Sequence, residues 1–155
     1  MVRAIALDPG GVVGIACCDG TTLAIPVVPP KTVMTRLEIG GALTRYRREL
    51  DDILAEYRPE WLIVERTIQG ARFIEDYTFA AEWIAIEAAD MHECRLAQIT
   101  ATQVRRNWWK PPLRPTDTAR MALARAEGFA IADNHAADAA LLLRAWQQRQ
   151  EAVAA

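Results

Sequence analysis

Four side chains in this sequence are of a type, and at a spacing, to do chemistry together: Asp8, Glu65, His135 and Asp138. Asp8 and Glu65 each close a short apolar run, Ala4–Leu7 and Trp61–Val64, so both carboxylates are expected at strand ends rather than on solvated helix faces. His135 and Asp138 stand three residues apart in a helical pattern and share one face, close to the end that carries the helix's partial positive charge. Carboxylates brought together repel and raise one another's pKa, which is tolerable only with a cation between them. An oxygen-rich set favours Mg2+ or Mn2+, and two such ions ~3.5–4 Å apart stabilise both the attacking and the leaving oxygen when water displaces a phosphodiester. The expected chemistry is therefore metal-assisted phosphodiester hydrolysis at a hard-metal site where Asp8, Glu65, His135 and Asp138 gather.

Each residue also has a plainer role to fill. Asp8 opens Asp-Pro-Gly-Gly, where aspartate commonly starts a β-turn. Glu65 can be an ordinary charge at a strand end, and His135 can cap or pack. Asp133 reads as a helix-start residue, yet it competes with His135 for the fourth ligand position. Asp138 is hardest to explain without function, because Ala136, Ala137, Ala139, Ala140 and Leu141–Leu143 surround it and an unpaired charge there would be costly.

The elements that must position these groups follow from the pattern. Val2–Leu7, Val12–Cys18 and Thr22–Val28 are apolar runs separated by the turn signals Asp8-Pro9-Gly10-Gly11 and Asp19-Gly20, which predicts a three-stranded antiparallel meander. From Thr32 to Tyr57 the period becomes helical, with Thr35 and Glu38 spaced for a capping box and Gly40-Gly41 placed to break the helix in two. Trp61–Val64 does not alternate and reads as a strand buried on both faces. A helix over Phe73–Met91, a strand over Arg95–Ile99, a short helical turn over Thr100–Asn107, a proline-rich connector to Pro115 and a helix over Thr116–Glu127 follow. A last helix spans Asn134–Arg149 with Asn134 as its cap. The order predicts an α/β fold: a mixed five-stranded sheet, three antiparallel strands then parallel additions, flanked by helices.

With 155 residues, 52% of them hydrophobic, the chain has the size and apolar content of one globular domain over 1–155. No apolar run approaches the ~20 residues that span a bilayer, and no basic-then-apolar leader opens the chain, so a soluble, cytoplasmic protein is expected. Cys17, Cys18 and Cys94 match neither a disulfide framework nor a zinc site and are expected as buried thiols. A net charge of -2 does not announce a nucleic-acid binder. Its distribution does better: from Gln103 to Arg125 the only acidic residue is Asp117, against Arg105, Arg106, Lys110, Arg114, Arg120 and Arg125, a basic surface suited to DNA. Trp108-Trp109-Lys110 is either a base-stacking element flanked by cations or a pair of tryptophans covering the sheet or a partner subunit.

Ala4–Gly14, with Asp8-Pro9-Gly10-Gly11 at its centre, resembles the first-strand motif of RuvC-type Holliday junction resolvases. His135-Ala136-Ala137-Asp138-Ala139-Ala140-Leu141 resembles that family's closing helix motif, Leu62–Glu65 the strand that presents its glutamate, and Ala101–Arg105 the segment after its fifth strand. The resemblance runs almost end to end. It implies an RNase H-like fold and a crossover junction endodeoxyribonuclease. Asp8 would bridge two metal ions, Glu65, His135 and Asp138 would complete the site, and Arg105 would contact the DNA backbone. It further implies a homodimer that nicks branched DNA, with the Phe73–Met91 helix at the interface. Three residues after Glu65, where the family commonly carries an aromatic that stacks on junction bases, this chain has Ile68, so that role is either absent or moved to Phe73 or Trp108. Near Asp117 a family lysine is replaced, with Arg114 or Arg120 as substitutes. Two other readings keep the fold: a YqgF-type nuclease acting on RNA or another nucleic acid, and a catalytically silent nucleic-acid-binding domain.

Overall fold

The computed structural model describes residues 2–27, 35–67, 76–110 and 115–154. Strands β1 (Ala4–Asp8), β2 (Val12–Cys17) and β3 (Thr22–Pro26) form the antiparallel meander that the turn signals predict. Strands β4 (Trp61–Glu65) and β5 (Arg95–Ile99) join in parallel on the other side of β1, giving the order β3-β2-β1-β4-β5 in one five-stranded sheet. The helices are α1 (Arg36–Tyr57), α2 (Asp76–Met91), α3 (Ala101–Arg105), α4 (Asp117–Ala126) and α5 (Asn134–Ala154).

Alternation along the strands divides the core in two. Ile5, Leu7, Leu62 and Val64 pack with Tyr46, Leu50 and Leu54 of α1 and with the alanines of α2. Ala4, Ala6 and Ile63 face the opposite way, against α5, whose Ala137, Ala139, Ala140 and Leu142 are fully buried. Small residues on both sides of that second layer let α5 lie close to the sheet. By the same alternation Asp8 and Glu65, two residues beyond Ala6 and Ile63, fall on the α5 side.

The structure corrects three local expectations. Helix α1 runs unbroken through Gly40-Gly41. Each glycine costs about 1 kcal/mol relative to alanine in a helix, whereas burying large apolar side chains such as Leu50 and Leu54 stabilises by roughly 1.5–3 kcal/mol each, and the Thr35–Glu38 capping box nucleates the helix ahead of the glycines. The cap of α5 is Asp133 rather than Asn134: its Oδ1 accepts the backbone N–H of Ala136 at 2.8 Å. Helix α5 also continues to Ala154, beyond the expected end at Arg149. The cysteines are free thiols, Cys17 buried and Cys18 and Cys94 partly so. Among the described residues no helix is long and apolar enough to cross a membrane.

Candidate active site

The parallel register Leu7↔Val64 makes the next two residues, Asp8 and Glu65, neighbours at one edge of the sheet. The antiparallel register sets Gly14 of β2 opposite Asp8. A Cβ on Gly14 would overlap the backbone carbonyl of His135, lying 2.5 Å from its carbon and 3.2 Å from the nitrogen of Ala136. Only glycine therefore lets the first turn of α5 settle on the sheet beside Asp8, and the following turn delivers Asp138 to the same place.

Asp8, Glu65 and Asp138 line one cavity of about 200 Å³, together with Arg105, Arg120, Trp109, Ala101, Val104 and Leu141. Ionisation is disfavoured throughout. Burial, then the charges of Glu65 and Asp138, hold the Asp8 carboxyl well above the usual range, and only Arg120 pulls it back. Burial and Asp138 push Glu65 up to about 7 against the opposing pull of Arg105 and Arg120. Asp138 is raised to about 6 by burial, against the opposing charges of Arg120 and His135.

Arg120 is the main internal counter-charge. Its Nε lies 3.0 Å from Asp138 Oδ1 and its Nη2 2.6 Å from Asp117 Oδ1. The Nε contact is an ion pair without a well-directed hydrogen bond, since that buried N–H has no acceptor in line. Arg105 Nε donates to the carbonyl of Ala101 at 3.2 Å, which holds its guanidinium over the first turn of α3.

As donors, three clustered carboxylates suit a hard divalent cation, and their reluctance to ionise next to one another is what such a cation relieves. Among the described residues, no three His, Cys, Asp or Glu side chains stand close enough as placed to share one ion, so coordination would need Asp138 to turn from Arg120. His135 sits in the first turn of α5 and acts on Asp138 through its charge, but it does not line the cavity. Asp133 uses a carboxylate oxygen as the helix cap. Of the basic residues expected at DNA, Arg105 and Arg120 line the cavity, Arg106 and Lys110 are exposed outside it, and Arg114 lies outside the described residues. Ile68 and Phe73 also lie outside them.

Sequence reasoning missed Gly14, Glu82 and the wall position of Trp109. Glu82 is buried and accepts from the Thr67 N–H at 3.1 Å and from Gln98 Nε2 at 2.8 Å, clamping the exit of β4 to β5 just beyond Glu65. Its signal was a lone glutamate at a helical position that faces the sheet, visible only once the face of α2 is known.

A mixed five-stranded sheet with this order and these flanking helices is the RNase H-like fold. More particularly, it is the fold of RuvC-type resolvases. The chain is similar to RuvC of Thermus thermophilus, with a TM-score of 0.68, 16% identity and 97% of each chain covered. It is similar also to T. thermophilus RuvC in complex with Holliday junction substrate, with a TM-score of 0.67, 14% identity and 97% of each chain covered. The yeast mitochondrial Holliday junction resolvase Ydc2 is more distant, with a TM-score of 0.58 and 11% identity over 97% of this chain and 79% of that one. No family profile and no curated protein matches the chain in sequence.

Proposed function

We propose that this chain is a metal-dependent, structure-selective endonuclease that hydrolyses phosphodiester bonds in branched DNA, four-way junctions first among them. The observation that carries this is the cavity in which Asp8, Glu65 and Asp138 all resist ionisation beside Arg105 and Arg120. Asp8, Glu65 and Asp138 would hold Mg2+ or Mn2+, with His135, which stands outside the cavity in the first turn of α5, turning in as the fourth ligand. A divalent cation held by these residues would supply Lewis acidity toward water and the phosphoryl group. The guanidinium forks of Arg105 and Arg120 match phosphate geometry, and Arg120 would exchange Asp138 for a substrate phosphate as the carboxylate turns to the metal. Arg106 and Lys110, exposed beside the cavity, would follow the DNA backbone.

The solved structure with a Holliday junction supports the choice of substrate by similarity of fold alone. Trp83 and Met91 of α2 are 63% and 64% exposed, large apolar side chains on the helix where the family resemblance puts a homodimer interface. We take the active form to be that homodimer.

The test incubates the protein with Mg2+ or Mn2+ and four-way junction, flap, linear duplex and RNA–DNA hybrid substrates, beside Asp8→Asn and Asp138→Asn. Junction cleavage lost by more than roughly 100-fold in both variants is the expected outcome. Cleavage surviving both substitutions would sink the metal site. Equal cutting of linear duplex would sink the junction assignment, and preferred cutting of the hybrid would favour the RNA-directed reading.

A further inference from the structure

We propose that Trp109 is the base-contacting residue of this cavity: its indole stacks on the nucleobase beside the phosphate that the cavity receives, and so biases which nucleotide is cut. This role rests on the nuclease function proposed above and adds a specificity determinant to it.

The position of Trp109 is set by a turn. The backbone N–H groups of Trp108 and Trp109 donate to the carbonyl of Arg105 at 3.2 and 2.9 Å, folding the chain back on the end of α3. Asn107 Nδ2 donates to Gln148 Oε1 at 3.1 Å and ties the same turn to α5. Both tryptophans are partly buried against the α5-side core, with ring centroids 6.0 Å apart at 57°. Trp109 alone of the two lines the cavity.

The rest of the wall says what that ring is for. Carboxylates and guanidinium groups suit a cation and a phosphate, whereas Ala101, Val104 and Leu141 suffice to close the apolar side. The flat π-face of a nucleobase is matched by none of these groups. A partly buried indole bordering the same small cavity is suited to that face and demands no particular hydrogen-bond pattern. Exposed Lys110 follows directly and can accompany the strand as it leaves.

The test uses junctions with 2-aminopurine at each nucleotide flanking the mapped cut, bound in EDTA so that no cleavage occurs. Wild type should quench the probe at one flanking position, Trp109→Phe should keep most of the quenching, and Trp109→Leu, which retains the apolar cover, should abolish it. Affinity should fall about ten-fold in Trp109→Leu, in the range of one lost stacked base, and its cleavage with Mg2+ should lose base preference at that position. Photocrosslinking of wild type to 5-iodouracil at the same position needs no variant and should label the peptide that contains Trp109. Unchanged quenching and base preference in Trp109→Leu, or crosslinks only to other peptides, would overturn the role while Asp8-dependent cleavage left the nuclease function standing. Absence of DNA binding altogether would overturn both.

Discussion

Where β1 and β4 begin, Trp61, Phe129, Trp146 and Arg144 border a cavity of about 700 Å³; where the same strands end, Asp8, Glu65 and Asp138 border one of about 200 Å³. Helix α5 runs past both, so sheet and helix are common to the two regions and only the side chains differ. At the larger, the α5 charges Arg144 and Glu151 are paired. Arg144 Nε donates to Glu127 at 2.9 Å and Nη1 to Glu151 at 3.3 Å, and Arg95 lies over the Trp61 ring at 5.6 Å. At the smaller, three carboxylates share the pull of Arg120 and Arg105 and remain short of counter-charge. Unrelieved electrostatics, not volume, sets the smaller cavity apart as the candidate site.

The most forceful way to break the contrast is at Gly14. Gly14→Ala drives a methyl into the His135 carbonyl and must lift α5 from the sheet. We expect a loss of about 3 kcal/mol or more in chemical denaturation, together with loss of cleavage, because Asp138 moves with the helix.

Next in size is pH. A carboxyl whose folded-state pKa lies above its unfolded value binds its proton more tightly when folded, so folding is most favoured while the group is protonated. Stability from this source is therefore lost as pH rises from the unfolded value of 4.5 through about 7 for Glu65. Metal-free Glu65→Gln should accordingly be more stable than wild type at pH 8, by on the order of 2–3 kcal/mol, with the gap closing by pH 5 in thermal melts. A gap independent of pH would mean that Glu65 is not under electrostatic stress.

The smallest effects set the two arginines against each other. Arg144→Ala breaks two partly exposed ion pairs and should cost less than about 1 kcal/mol, equally at pH 5.5 and pH 8 and with cleavage unchanged. Arg120→Ala removes the counter-charge of the carboxylate cavity and should cost more at pH 8 than at pH 5.5, with cleavage impaired. Melting curves of both variants at the two pH values decide it.

Much of this was legible in the residues. Asp8 and Glu65 were readable as strand-end carboxylates because apolar runs stop at them, and Asp138 because alanines and leucines leave a charge there without ordinary purpose. The meander, the parallel additions and the capping box at Thr35 followed from turn chemistry and periodicity. What stayed hidden depends on how elements approach one another. Gly14 looked like any strand glycine until α5 was seen to rest on it, and Gly40-Gly41 failed to break α1 because tertiary burial outweighs local propensity. Arg120 sat in a basic stretch with nothing local to say that α4 would aim it at Asp138. Asp133 and Asn134 are both good caps, and only the settled position of α5 chose between them.

The proposed binding of a divalent cation in the small cavity is tested, without any nucleic acid, by depletion of the free Mn2+ electron paramagnetic resonance signal. At pH 8 wild type should sequester Mn2+, Asp8→Asn and Asp138→Asn should lose most of that capacity, and Arg144→Ala should keep it. Mn2+ uptake that is equal in wild type and in both carboxylate variants would contradict the claim.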